Sequence, residues 1–310
     1  MKKIILTLSA LLCAASMFAG GVDNKSNLNT GYLRNPSRNV EIKRPEAVLY
    51  NIAGTGFMED GLYFNAGNQF VFKEYTNELN GTEYKDKEKV FFFPNFEAVY
   101  KQDKWAAFFG FGIFAGGGSL DFSDGNAAVT ATFATNAKKY AAQGNTPLAA
   151  MFSGAAVNHS LKVYSVTMGE ILGGSYVFND MISVAAAGRF LHGNQNMSLK
   201  ASSISALNGG SDELSYEASG CGFGGIFGVN ITPVENLYLS IQYQTITKLD
   251  FEYNTMKGAL TPALLSAKEG DKFHNDLPAV LGLGAGYNVL DNLFVNTSFN
   301  YYFNKQASLE

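Results

Sequence analysis

The side chains best equipped for chemistry in this 310-residue chain are His159, His192 and His274, the two cysteines Cys13 and Cys221, and scattered carboxylates. A metal centre needs ligands at short, regular spacing, and these histidines are separated by long intervals with no such spacing. A Ser–His hydrolase would need His159 or His192 beside a serine, but no G-x-S-x-G element presents one. The run Gly220-Cys221-Gly222-Phe223-Gly224-Gly225 has the look of a nucleotide loop. It follows no buried strand and opens no helix, so close strand packing accounts for it better. The chain is therefore not read as an enzyme, and no metal or cofactor is expected.

Residues 1–20 read as a cleaved secretory signal: Lys2 and Lys3 precede an apolar run from 4 to 15, and Ala19 and Gly20 offer a cleavage site. Cys13 lies in that run behind Leu12, where a lipoprotein signal needs a small residue, so lipid anchoring is not expected. Its removal leaves Cys221 alone, which allows no intramolecular disulfide. No later window holds about eighteen uncharged apolar residues, which excludes transmembrane helices. A net charge of -4, a pI near 5.5 and the lack of basic clusters argue against a nucleic-acid partner.

What must position any functional residue is set by the alternation in residues 237–253. Leu237, Leu239, Ile241, Tyr243, Thr245, Thr247, Leu249, Phe251 and Tyr253 fall on odd positions, and even positions include Ser240, Gln242, Gln244, Lys248, Asp250 and Glu252. Tyr238 and Ile246 are the exceptions. At roughly 3.3 Å per residue such a strand exceeds about 50 Å, far beyond the usual strand of a soluble protein. A lipid-facing barrel strand explains both length and alternation. The 33 Gly, 25 Phe and 16 Tyr suit many close-packed strands carrying aromatic side chains toward lipid. Only a barrel satisfies every backbone group there.

The same pattern predicts strands at 62–73, 89–101, 104–115, 162–178, 181–199, 213–232, 236–253, 276–288 and 292–304, about nine in all. Tight breaks rich in Asn, Asp, Glu or Pro alternate with longer connections at 74–88, 116–161, 200–213 and 254–275. Short turns on one rim and long loops on the other are the outer-membrane pattern. Single-chain bacterial barrels close with even strand numbers, so an odd count is read as a truncated sequence, with closure by another copy as the alternative. Residues 21–60 do not alternate and are expected to pack inside the barrel as a plug. The fold class is thus all-β, a transmembrane antiparallel barrel over 61–310.

Two features depart from the strand pattern. Within a helical external loop at about 119–160, residues 127–141 and 148–157 favour two helices broken at Gly144-Asn145-Thr146-Pro147. Phe133, Tyr140, Leu148, Met151 and Phe152 on such a hairpin either line a binding groove or pack on the barrel's own rim. Gly116, Gly117 and Gly118 at a strand end favour a bulge, a kink or an ordinary loop entry.

Residues 35–70, NPSRNVEIKRPEAVLYNIAGTGFMEDGLYFNAGNQF, resemble the amino-terminal region of the outer-membrane long-chain fatty acid transporter (FadL) family. The family's x-Y-N-P-A-G-like plug element matches Tyr50-Asn51-Ile52-Ala53-Gly54, with Ile52 in place of proline. Residues 91–118, FFFPNFEAVYKQDKWAAFFGFGIFAGGG, extend the likeness. The resemblance implies a fourteen-stranded barrel plugged by its amino-terminal segment, with Asn35, Pro36, Asn51, Ala53 and Gly54 in the plug. It implies passage of hydrophobic molecules from an external groove at 133–152 to the interior, then sideways into the bilayer at a kink near Gly116–Gly118.

A fatty-acid carboxylate would want a lumenal cation. Arg189 is the candidate, because it shares a face with Ser183, Ala185 and Ala187 opposite Ile182, Val184 and Phe190, and Lys248 is second. The alternative for both is a structural ion pair. The expected function is passive outer-membrane transport of long-chain fatty acids or aromatic hydrocarbons by a monomer in contact with lipid. A structural or adhesive surface barrel and a general diffusion porin are the alternatives.

Overall fold

The computed structural model describes residues 24–290 and 292–307; the signal read at 1–20 lies outside the described residues. The chain opens with a short helix α1 (Thr30–Arg34), a turn of helix α2 (Ala47–Tyr50) and a 3-10 segment (Ile52–Phe57). Strand β1 (Gly61–Asn68), a small hairpin of β2 (Thr76–Leu79) and β3 (Thr82–Lys85), β4 (Pro94–Gln102) and β5 (Trp105–Phe122) follow. Helices α3 (Ala127–Ala142) and α4 (Thr146–Val157) interrupt the strands. Then come β6 (Ser160–Asn179), β7 (Ile182–Lys200), β8 (Glu213–Ile231), β9 (Leu237–Gln244) and β10 (Asp250–Lys257). The helix α5 (Thr261–Leu265), β11 (Lys272–His274), β12 (Val280–Leu290) and β13 (Leu293–Tyr302) complete the described chain. No described helix is long and apolar enough to cross a membrane.

Among the described residues, eleven strands form one antiparallel sheet in the order β1-β4-β5-β6-β7-β8-β9-β12-β13, with β10 continuing along β8 and β11 along β10. The sheet curls. Lys25 donates its backbone N–H to Phe114 O of β5 at 2.8 Å, and the next residue, Ser26, shares a 3.2 Å hydrogen bond with the Tyr302 hydroxyl of β13. Six strand steps separate β5 from β13, and a flat sheet would hold them roughly 29 Å apart at about 4.8 Å per step. Two adjacent residues reach both only if the sheet wraps around them.

The tight turns are built as their composition demands. Asp103 and Asn236 adopt positive φ, which Asn and Asp tolerate better than most residues. At the β6–β7 turn, the Asn179 carboxamide oxygen accepts from the N–H groups of Met181 and Ile182. Facing inward on β7 are Ser183, Ala185, Arg189 and Leu191, all buried, while Ala186 and Phe190 are exposed on the outer side.

The strand expected at 237–253 is two strands, which corrects the reading of one continuous face. In β9 the buried residues are Ser240 and Gln242 and the exposed ones Ile241 and Tyr243; in β10 the buried residue is Phe251, after buried Leu249, with Asp250 exposed between them. Odd positions thus point outward before the break at 245–249 and inward after it. A one-residue slip in a period of two reverses every side chain. Glycines in the neighbouring strands make room for the reversal: a Cβ on Gly193 or Gly220 would lie within 3 Å of the Phe251 ring.

Other boundaries also shift. β1 stops at Asn68, whose side chain donates to Phe91 O at 2.9 Å and accepts from Phe93 N–H at 2.9 Å, turning the chain out of the sheet. β5 runs through Gly116–Gly118 to Phe122 rather than ending at 115. The hairpin β2–β3 occupies the loop expected at 74–88. With β11 and the divided strand, thirteen strands replace the expected nine.

Residues 38–56 pack inside the curl. Asn39 donates to Leu283 O, Phe299 O and the Asn300 carboxamide; the Ile52 N–H donates to Gln242 Oε1 at 2.9 Å; Ser183 Oγ donates to Ala53 O at 2.8 Å. At Gly54 a Cβ would stand 2.2 Å from Glu41 O and 2.6 Å from Asn51 Nδ2. Gly54→Ala is therefore expected to destabilise the fold by ~1–3 kcal/mol. Gly117→Ala, with open space at its Cβ, serves as the near-neutral control. Denaturant unfolding in detergent compares the two, and equal midpoints would contradict the packing.

Candidate functional site

A wall whose strands are fully paired is closed to solutes, and among the described residues the pairing fails in two places. The first place is β5. Its ladder to β4 covers only Trp105 to Phe111, and beyond it bulges at Ile113/Ala115 and Ala115/Gly118 shift the register with β6. Gly116 and Gly118 sit at φ of +86° and +79°, which glycine adopts without strain. The three glycines therefore form a kink inside a strand, not a loop entry. The edge that β5 turns away from β4 is met by the amino-terminal segment: Asn24 bridges Ala115, and Lys25 donates to Phe114.

At this kink lies a cavity of about 190 Å³, lined largely by Val90, Phe91, Phe92, Phe93, Ile113, Tyr164, Val166 and Met168. Ile113 and Met168 are cross-strand partners on the side of the sheet opposite the inward residues of β6. Phe114, one residue on, faces the interior. A smaller cavity of about 60 Å³ lies inside, against Lys25, Ser26, Tyr32, Asn300 and Tyr302.

The second place is the break at 245–249. Arg189, almost completely buried, reaches into it: Nη1 donates to Gln244 Oε1 at 2.6 Å, and Nη2 donates to Thr247 Oγ1 at 2.7 Å and Thr245 O at 3.4 Å. Its guanidinium stands 5.8 Å from the centre of the Phe114 ring. Its Nε has no partner among the described residues. Arg189 is buried on the inner side of the sheet, and its two terminal nitrogens bond to residues of the break. Lys248 does not join it; it is exposed between buried Thr247 and Leu249. Gly222 and Gly224 lie under the break, where a Cβ would meet Lys248 O at 2.0 Å and Thr247 Oγ1 at 2.4 Å. That is the packing role the glycine run was read for.

Of the residues matched to the plug element, Asn51, Ala53 and Gly54 are buried inside the curl, and Asn51 Nδ2 donates to Asn230 Oδ1 at 2.9 Å. Asn35 and Pro36 lie at its margin, with Asn35 Oδ1 accepting from Ser37 N–H at 3.0 Å. Nearby, a buried Glu97 is met by the side-chain amides of Asn29, Asn65 and Asn95. Sequence periodicity pairs Asn95 with Glu97 on β4 but had no means to find Asn29 and Asn65, which come from other elements.

The helical hairpin forms as expected. Asn126 caps α3 by accepting from the N–H groups of Ala128 and Val129, and Asn145 caps α4. Phe133, Tyr140 and Phe152 are buried between the helices, with the Tyr140 and Phe152 rings stacked 5.5 Å apart and Phe133 6.1 Å from Phe152. Leu148 and Met151 are half-buried beside them. His159 closes the hairpin: its Nε2 accepts from Asn126 N–H at 2.9 Å, and its Nδ1 stands 2.8 Å from Ala155 O. His192 and His274 pair with Glu170 and Asp250 on the outer surface.

The described geometry is a curled antiparallel sheet with its amino-terminal segment hydrogen-bonded to the inner face and a bulged, glycine-rich stretch in one strand. No protein-family model and no curated protein matches the sequence. Among solved structures the chain is similar to the Pseudomonas putida toluene transporter TodX, with a TM-score of 0.56 at 15% identity over 84% of this chain and 66% of that one. It is similar to a Pseudomonas aeruginosa FadL homologue (TM-score 0.52, 14% identity, 91% and 68% of the two chains). The Ralstonia pickettii toluene transporter TbuX matches with a TM-score of 0.51 at 14% identity over 83% and 66%. The chain spans about two thirds of the length of these structures. The likeness is to the family that residues 35–70 and 91–118 resemble, and at these identities it establishes a shared fold.

The His159 contacts make the hairpin sensitive to acid. Burial holds its pKa below the ordinary 6.5, and only the neutral ring accepts from Asn126. The unfolded hairpin takes up the proton first, so this stabilisation is complete above pH 6.5 and is lost as pH falls below it. Amide exchange in α3, corrected for intrinsic pH dependence, should rise roughly threefold between about pH 7 and pH 5.5 in the wild type and much less in His159→Gln.

Proposed function

We propose that this chain is a passive outer-membrane channel for small hydrophobic molecules, with release sideways at the β5 kink. The observation that carries the reading is the apolar cavity of about 190 Å³ on the outer side of the kink, with Phe114 facing the lumen one residue away. A hydrophobic solute gains roughly 25 cal/mol per Å² by staying out of water, so a route from lumen to lipid through an apolar pocket suits it. The solved structures of similar fold include toluene transporters.

The cavity favours aromatic hydrocarbons over long-chain acids. A dry cavity of about 150 Å³ accommodates one benzene ring, and the space here is of that order. Arg189, the cation a carboxylate would seek, has its terminal nitrogens on Gln244, Thr245 and Thr247. The packing of residues 38–56 within the curl supports this reading over a diffusion porin, whose lumen must hold open water. The bilayer reading is supported by exposed Phe64, Leu172, Phe190, Phe223, Phe227 and Phe299 on the outer face, which no soluble protein would display together.

Val166→Trp, which fills the cavity from β6, is expected to cut toluene uptake into proteoliposomes roughly tenfold while the circular dichroism spectrum stays unchanged. Uptake at the wild-type rate would remove the cavity from the route. The membrane placement has its own test: Phe223→Lys should cost ~2–4 kcal/mol of stability in bilayers, as cations do at the midplane of a barrel's lipid face. A variant as stable as wild type would place β8 outside hydrocarbon.

A further inference from the structure

The wall has a second discontinuity, and its construction differs from the kink in β5. Between the β9 ladder, which ends at Gln244 opposite Ile226, and the β10 ladder, which starts at Asp250 opposite Cys221, β8 has no ladder partner on that side at Gly222 to Gly225. The contacts that close the gap come from elsewhere. Gly225 N–H donates to Thr245 Oγ1 at 2.8 Å, Thr245 N–H donates to Gly225 O at 2.9 Å, and Thr247 bridges Leu277 on the far side. Arg189 holds the near end of the segment through Gln244, Thr245 and Thr247, while Leu249 at the far end donates to Asp276 Oδ1 and accepts from Asn275 N–H.

We infer that residues 245–249 form a second lateral window, latched by Arg189, through which a hydrophobic ligand can leave between β8 and the β9–β10 junction; the route rests on the channel reading above. Three features make the segment a shutter rather than a fixed bulge. The glycines beneath it carry no side chain to interlock with the segment. The faces reverse across it, so the strands on either side act as separate units joined by five residues. The latch is a cation with no carboxylate partner among the described residues, and a buried unpaired charge gains hydration when the segment opens. Phe114 ties the latch to the first exit, since its ring faces the guanidinium while its carbonyl accepts from Lys25. Arg189 acts here as a positioning residue for the wall.

The test uses the full chain in lipid nanodiscs and vesicles. In Arg189→Gln, deuterium exchange of the amides at 245–249 should accelerate about tenfold, with β6 and β7 unchanged; equal exchange overturns the latch. The native thiol supplies a second arm, because Cys221 is exposed and lies directly opposite Asp250. Asp250→Cys, oxidised to a disulfide verified by mass spectrometry, fastens the segment's end to β8. Slower toluene passage that recovers on reduction supports the window, and identical passage in the oxidised and reduced forms overturns it as a route. A wild-type chain that passes no toluene overturns the channel reading and the route with it, whereas the exchange result judges the latch independently.

Discussion

The structure depends on one constraint, the pairing of backbone polar groups along a curved sheet whose outer face is apolar. A sheet in which every N–H and C=O is paired within the ladder is closed to solutes. The described wall keeps that pairing nearly everywhere through β6, β7 and β8, which run side by side for 19 or 20 residues. It fails at the β5 kink and at the break after β9. In both places the freed groups are met by something outside the regular ladder: the amino-terminal residues Asn24 and Lys25 at the first, and threonine hydroxyls with Arg189 at the second. Substitutes of this kind can let go without unzipping a strand, which ladder bonds cannot.

The amino-terminal segment is what links the parts. It carries few apolar residues that alternate, and its stability comes from hydrogen bonds to the inner face of the sheet through Asn39, Asn51, Ile52 and Ala53. A buried Arg38 paired with Glu41 and Glu46, and a Tyr50 hydroxyl accepting from Leu28 N–H, fix its own shape. Val48, Leu49, Ile52 and Met58 of the same segment are buried alongside these bonds, so apolar shape and hydrogen bonding together fit it to one curl. Its first described residues then cap the edge that β5 leaves open.

The helical hairpin contributes a different kind of contact. Its aromatic residues are turned toward each other and join the cluster that includes Leu161, Leu199, Ile204 and Leu214, which removes them from water. The buried Tyr140 hydroxyl lacks a partner among the described residues, the one polar flaw in that aromatic stack. The hairpin is also tied to the rest of the chain by Ala127 N–H donating to Asn77 Oδ1 and Thr130 Oγ1 donating to the Tyr84 hydroxyl.

Much of this architecture was legible in residue order because strands and helices have fixed periods. Alternation located β6, β7, β8 and β13 to within two residues or so, the Asn-rich breaks located the tight turns, and the apolar runs at 127–141 and 148–157 located both helices. The buried, inward placement of Arg189 followed from the same parity. What residue order did not decide is where two strands part and which groups then meet. Ile246, one of two exceptions to the alternation, lies in the break that reverses a whole face, but a slip of one residue leaves composition untouched and so gives little warning of it. The pairing of Arg189 with Gln244, Thr245 and Thr247, and the burial of Phe133 and Phe152 against each other, depend on distances across the curl. Periodicity is a local property of the backbone, whereas those contacts are set only when the sheet closes residues far apart in sequence onto one another.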